Sequence, residues 1–151
     1  MIFSKRTEFC DATALNTGGA GTYLLGDQVD LGTARDVGNG EPLYLVITVD
    51  TLPTSGGSAT ARFTLASDDS ASIATDGSAT VHFQTKAFAI SEMAAGQVLC
   101  AIALPMEGVA YERYLGILQT TATAAFTGGK INAFLTHDVA KWKSYDAPFQ
   151  A

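Results

Sequence analysis

Charge is scarce in this chain of 151 residues: Lys, Arg, Asp and Glu together make up 16% of it, against about 25% in an ordinary soluble protein. Basic residues are the scarcer kind. Nine Lys and Arg stand against fifteen Asp and Glu, for a net charge of −6 and a pI near 4.6, and they form no run. A surface that grips phosphates needs a clustered basic patch, so direct nucleic-acid binding is not expected. Long hydrophobic runs are missing as well. The longest, LYLVITV (Leu43 to Val49), falls far short of the roughly 20 residues that cross a bilayer. The opening MIFSKRTEFCDATAL has basic residues with no continuous apolar stretch behind them, so no signal peptide and no membrane contact are expected.

Cysteine and histidine number two each. Cys10 and Cys100 lie far apart in sequence, so a disulfide is open on geometry, yet nothing marks an oxidising compartment. Cys100, inside QVLCAIAL, reads as a buried small hydrophobe; Cys10 could be a free thiol. Neither sits in a metal-ligand pattern. His82, between Val81 and Phe83, reads as a satisfied, half-buried imidazole rather than a base. His137 and Asp138 are neighbours, but consecutive strand residues point to opposite faces, so a shared metal would need distant ligands. No cofactor is expected.

Other chemical motifs fail on context. A Ser–His–Asp site is recognised by geometry and not by order, but the chain has no G-x-S-x-G elbow, and TSGGSA reads as a flexible loop. The G-x-G of DVGNGEP precedes a strand and a proline, whereas the dinucleotide fingerprint follows a strand and opens a helix. SDDSAS offers Asp68 and Asp69 without the frame of an EF-hand loop. No catalytic residue is assigned, and an enzyme is not expected.

Hydrophobic residues are abundant, at 47%, with a mean hydropathy of +0.18, and the length fits one domain with a substantial core. The first eleven residues mix apolar and charged side chains and read as an arm or edge segment. A short strand is expected near Tyr23–Leu25, then a turn-rich stretch, GDQVDLGTARDVGNGEP. Pro42–Thr51 is the strongest strand, apolar on both faces near its middle, which suits a central strand or one meeting another subunit. TLPTSGGS then turns the chain. Further strands are expected at Ala59–Asp68, with one face in and one out, and at Ala79–Thr85, Gly96–Leu104, Tyr111–Ala122 and Lys130–Val139. Gly128 and Gly129 would turn a hairpin between the last two. SEMAAG could form one helical turn capped by Ser91. Short strands between Gly and Pro clusters, without sustained helical periodicity, predict an all-β protein: a single-domain antiparallel jelly-roll β-sandwich over 1–151. An N-terminal arm (about 1–11) and a C-terminal aromatic tail (about 139–151) would flank it. Aromatics supply interface anchors disproportionately, so Phe3, Arg6 and Phe9 in the arm and Trp142, Tyr145 and Phe149 in the tail are candidate contact residues.

Three pieces of the chain, in order, resemble one family. MIFSKRTEFCDATAL is similar to a start M-I-F-x-x-x-x-x-F-S/C-D-x-Q/T-A. DLGTARDVGNGEPLYLVITV (30–49) resembles a D-L-G…D-x-G-x-G-x-P-L-x-L-x-V-x-V segment. LPMEGVAYERYLGILQTTATAAFTGGKINAFLTHDV (104–139) resembles L-P-x-G…R-Y-L-R-L-x-Y, then F-T-A-G-x-I/V-x-A-x-L and a closing Asp. The pattern is that of the small capsid cement, or decoration, proteins of tailed bacteriophages, of the Bordetella-phage type. The chain departs from it at Gly116, where a longer polar residue is usual, and at Gly128, where Ala is usual.

That resemblance implies a jelly-roll homotrimer on the outside of a phage head, bound to the major capsid protein, built in the host bacterial cytoplasm and stabilising contacts between capsomers. Within it, Arg113 is expected to pin a loop by pairing with Asp36 or Asp138. Two rivals stand beside it. One is a carbohydrate-binding β-sandwich module of a tail fibre or secreted enzyme, which would need an aromatic platform drawn from Tyr44, Tyr111, Tyr114 and Trp142. The other is a small jelly-roll enzyme such as a cupin, which would need a histidine cluster.

Overall fold

The structure, a computed structural model, describes residues 5–34, 42–105 and 108–138. They form nine strands: β1 (Glu8–Ala14), β2 (Gly21–Asp30), β3 (Tyr44–Ser55), β4 (Thr60–Asp68), β5 (Thr80–Gln84), β6 (Phe88–Ala89), β7 (Val98–Ala103), β8 (Tyr114–Ala122) and β9 (Phe126–Thr136). Single 3-10 turns occur at Lys5–Thr7 and Ile90–Glu92.

The pairings are nested and antiparallel. β1 pairs with β9, β2 with β8, β3 with β7, and β4 with β5 and β6. A long hairpin of that kind, rolled up, brings β3 onto β9 and β4 onto β8. The result is two sheets, β1-β9-β3-β7 and β2-β8-β4-β5 with β6 on β4. This is the jelly roll expected from the sequence.

The core lies between the sheets and follows the two-residue period. Leu45, Ile47 and Val49 of β3 and Ile131, Ala133 and Leu135 of β9 face Ala61, Phe63 and Leu65 of β4 and Leu115 and Ile117 of β8. Each large side chain taken fully from water contributes about 1.5–3 kcal/mol. Residues 1–11 are not all arm: Phe9 and Cys10 are buried in β1.

Several local expectations are corrected. The stretch after Leu25 does not turn at once; β2 continues to Asp30 through an irregularity between Leu25 and Val29. Gly26 makes this possible, with φ +74 and a backbone so close to β1 that a Cβ would stand 2.2 Å from the Phe9 carbonyl oxygen. TLPTS does not turn either. β7 pairs with β3 only as far as Thr48, so from there β3 has β9 on one side alone, and Pro53 is tolerated on such an edge.

The β8–β9 turn falls at Thr123–Ala125 rather than at Gly128 and Gly129, because Phe126 is already buried in β9. Gly129 (φ +118) is instead where β9 passes β3, with a Cβ position 2.7 Å from Pro53 Cα. Ser91 lies inside the 3-10 turn and caps nothing; Glu92 Oε2 accepts from the Ala89 N–H at 2.9 Å.

Burial on β4 is not one-sided. Ala66, on its outer face, joins Leu118, Ile73 and Ala79 in a second cluster where residues 69–79 fold over the sheet. Gly116 explains itself here. A Cβ at that position would stand 2.5 Å from Ile73 Cδ1 and 3.2 Å from Leu24 Cδ1, so a longer residue there would need the Ile73 side chain to move aside.

The cysteines are settled by register. Cys10 pairs with Ala133, Ala133 with Ile47, and Ile47 with Cys100, one row across the four-stranded sheet. Three strand spacings separate the sulfurs' backbones by roughly 14 Å, beyond the about 7 Å that a disulfide spans. Both are buried free thiols; burial pushes Cys10 up to about 12 and Cys100 up to about 11.

Candidate functional site

One end of the sandwich holds Asp30, at the close of β2, and Tyr114, at the opening of β8, from two of the sequence motifs. The register sets the ends of β2, β4, β7 and β9 beside the starts of β1, β3, β5 and β8: Asp30 pairs with Tyr114, Tyr114 with Asp68, Tyr44 with Ala103 and Thr136. From this end leave the 31–43, 69–79 and 104–113 connections, and here the described chain begins and stops. The opposite end has the short links 15–20, 56–59 and 123–125 together with the 85–97 connection. Three of the four long connections thus share one end, and loops set on a sheet scaffold are where binding surfaces are commonly built.

Three sets of contacts hold the base of these connections. In the first, the Arg113 guanidinium grips Asp30 with both arms, Nε to Oδ1 at 2.9 Å and Nη2 to Oδ2 at 3.0 Å. The Gly32 N–H also donates to Asp30 Oδ1 (2.8 Å), the Leu31 N–H donates to the Arg113 carbonyl (2.8 Å), and the guanidinium lies over the Tyr114 ring, 4.9 Å from its centroid. Arg113 and then Gly32, by hydrogen bonding, hold the Asp30 carboxyl down at about 2. The loop-pinning role expected of Arg113 is present, but its partner is Asp30 and not Asp138. Asp36 lies outside the described residues. Asp138 instead donates its backbone N–H to Thr136 Oγ1 at 3.1 Å.

The second set ties the 104–113 connection to β4 and β5. Ser67 Oγ is 2.7 Å from His82 Nε2, accepts the Glu112 N–H at 3.1 Å, and lies 3.5 Å from Glu112 Oε2. The His82 ring stacks on Tyr111 with centroids 3.9 Å apart, and Tyr111 Oη donates to the Pro105 carbonyl at 2.7 Å. His82 is the satisfied, half-buried imidazole expected, and burial lowers its basicity. Although Ser, His and Glu meet here, the carboxylate lies on the serine side, and Ser67 has no exposed surface. A triad needs a reachable nucleophile and an acid behind the imidazole; this arrangement fastens chain to chain.

The third set closes the far side of the 31–43 connection. The Leu104 N–H donates to the Leu43 carbonyl at 2.8 Å, and His137 Nδ1–H donates to the Pro42 carbonyl at 3.0 Å.

The remaining candidates divide. Arg6 is exposed, in the 3-10 turn at this same end. Phe9 is buried in the core at 1% exposure, so it is not a contact residue. Phe3, Trp142, Tyr145 and Phe149 lie outside the described residues. The aromatic platform for a carbohydrate does not form from the tyrosines. Tyr111 is buried, and Tyr44 and Tyr114 lie on the outer faces of opposite sheets. Asp68 spends its oxygens on the Ser70 and Ala74 N–H groups, which lower its carboxyl. Among the described residues, no group of three or more His, Cys, Asp or Glu could hold a metal.

Asp30, Ser67 and Glu112 were missed as partners. Asp30 had a signal, standing in the D-L-G segment; Ser67 and Glu112 had none, because long-range pairing alone unites them.

Among curated proteins, no significant match was found. A family model described as Bbp16 matches residues 9–135, from Phe9 in β1 to Leu135 in β9. The name points to a Bordetella phage protein. With the whole sandwich matched, the chain belongs to the Bbp16 family.

Proposed function

We propose that this protein is a structural component of a tailed-phage virion, a cement protein that binds the outside of the head and strengthens contacts between capsomers of the major capsid protein. One observation carries the reading: where the D-L-G segment leaves β2 and the R-Y-L segment enters β8, the two are locked together at one end of the jelly roll. There, Asp30–Arg113 and the Ser67–His82–Glu112 ties hold the connections in place. What these groups do is position chain, which supports an adhesive reading.

Cementing suits weak, repeated contacts. A trimer that bridges several capsomers makes its second and third contacts at high effective concentration, so modest interfaces add up to slow release. Each stable contact would bury on the order of 1,200–2,000 Å². The low charge of the chain, 16%, favours such covering.

The test is co-sedimentation of purified protein with heads that lack it, with light scattering giving its native mass. Saturable binding, lost in Asp30→Ala and Arg113→Ala variants that remain folded, supports the reading. Folded protein that never sediments with heads overturns it. Deletion probes of the arm should stop at residue 4, because Phe9 belongs to the core.

A further inference from the structure

The outer face of the five-stranded sheet is divided. On β4, Ala61, Phe63 and Leu65 point into the core, so Thr60, Arg62, Thr64 and Ala66 point away from it. Ala66, with Leu118 of β8, lies under residues 69–79. Toward the short links the face carries the row Thr22–Thr120–Arg62, one residue from each of β2, β8 and β4, all three half-buried. Neutral groups there satisfy one another: the Thr22 and Thr120 hydroxyls are 3.0 Å apart, and Gln84 Nε2 donates to Thr64 Oγ1 at 3.2 Å.

Arg62 differs. Its Nε is buried and has no hydrogen-bond partner. Among the described residues its guanidinium enters no ion pair, whereas Lys86 and Arg113 pair with Glu92 and Asp30. The chain holds fifteen Asp and Glu, so it has no shortage of acids. A charged donor kept from water without an acceptor costs folding free energy, and no contact among the described residues offsets that cost.

We infer that Arg62 anchors a second capsid contact, as the seat for an Asp or Glu carboxylate of the major capsid protein; the inference rests on the cement reading. The donor edge sets the chemistry. Nε–H and one Nη–H of a guanidinium point the same way and match the two oxygens of a carboxylate. Arg113 makes that contact on Asp30 through Nε and Nη2 in this same molecule. A neutral acceptor would satisfy one such N–H; a carboxylate satisfies both and answers the charge. The threonines of the row are short, so a partner's surface can approach the sheet. Placement fits bridging as well. Between Tyr114 and Thr120, β8 runs roughly 20 Å, which sets this flank well apart from the Asp30–Arg113 end. A cement must hold two bodies, and two surfaces facing different ways allow one subunit to do so.

Co-sedimentation with heads that lack the protein tests this, using Arg62→Gln and Arg62→Lys. Lys130→Gln is the control of equal charge change, since Lys130 is exposed on β9 of the other sheet. Arg62→Gln should bind at least about tenfold more weakly, Arg62→Lys should recover part of the loss, and Lys130→Gln should bind as wild type does. The melting temperature of the free protein should hold or rise in Arg62→Gln, which removes an unmet donor; a merely structural arginine would lower it. Amidating the carboxylates of the heads with a carbodiimide and an amine should weaken wild type more than Arg62→Gln. Arg62 variants that sediment as well as a wild type that binds overturn the inference and leave the cement reading standing. Folded wild type that never sediments removes both. A melting temperature that falls in both Arg62 variants makes the residue structural and overturns the inference. Amidation that weakens wild type and Arg62→Gln alike overturns it too, because the acceptor would then not be a carboxylate.

Discussion

The side chain of Gln119 pairs with the backbone of Asn16 as a neighbouring strand would: Oε1 accepts the Asn16 N–H at 2.9 Å, and Nε2 donates to the Asn16 carbonyl at 3.2 Å. Nε2 also donates to Thr121 Oγ1 at 2.9 Å. Gln119 has no exposed surface, so the β1–β2 connection is laced to β8 through a fully satisfied buried amide. Gln119→Leu keeps the volume and strips the Asn16 groups of their partner. Leaving a buried polar group unpaired costs about 1–3 kcal/mol. Urea unfolding should show a loss of that size with an unchanged slope; a loss within error would mean that water takes over both bonds.

Gly129 and Gly56 make a matched pair. A Cβ at Gly129 meets the Pro53 backbone at 2.7 Å with φ at +118, whereas one at Gly56 meets nothing within 4 Å. Gly129→Ala should therefore destabilise by about 1–3 kcal/mol or more, and Gly56→Ala should be near neutral. Thermal unfolding of the two variants side by side checks this.

The Arg113–Asp30 pair predicts an acid-side signature. The Asp30 carboxyl sits at about 2 in the fold, against an ordinary 3.8. A group with a depressed folded pKa contributes stability above its unfolded pKa and loses it as pH falls through the folded one. The contribution should thus be whole above about pH 4 and fade toward pH 2. Arg113→Ala should lower the melting temperature at pH 7 and flatten its decline between those values. Arg113→Lys should recover only part, because an ammonium cannot make the two-armed contact. Identical pH profiles for wild type and Arg113→Ala would remove the role.

His82 acts at milder pH. Burial lowers its pKa below the ordinary 6.5, so the unfolded chain takes the proton first. Stability should be constant above about pH 6.5 and decline as pH drops from there toward the folded value. NMR titration of the two imidazoles should place the His82 midpoint below 6.5. His82→Gln should lose the slope in that window; a midpoint at or above 6.5 contradicts the account.

Much of the architecture was legible in the sequence because strand periodicity is local. The alternation around Leu45–Val49 and Ile131–Leu135 marks the inner faces directly, and seven of the nine strands, all but β1 and β6, follow from such runs. The boundaries were less legible where a neighbour overrides local preference. Pro53 reads as a turn until β7 is seen to stop at Thr48; Gly128 and Gly129 read as a hairpin until Phe126 is seen in the core. Gly26 reads as a break until β1 is found lying 2.2 Å from its missing Cβ.

The ion pair shows the same division. An arginine beside a tyrosine at a strand start declared a pinning role, but its expected partners were Asp36, which lies outside the described residues, and Asp138, whereas the partner found is Asp30. Only the antiparallel register that sets Asp30 opposite Tyr114 selects the partner.

By itself, the sequence determined the class of the molecule: an acidic, sparsely charged, all-β domain without a basic patch, and a family pattern spread over its length. These properties reside in composition and in spacings of a few residues. The tertiary structure decided which of its parts meet. Nested pairing brought Ser67, His82 and Glu112 together from three segments, parted Cys10 from Cys100 by two intervening strands, and set three of the four long connections at one end. Such contacts depend on register between strand residues as far apart in the chain as Glu8 and Phe134, and a one-residue slip would send every side chain of a strand to its other face.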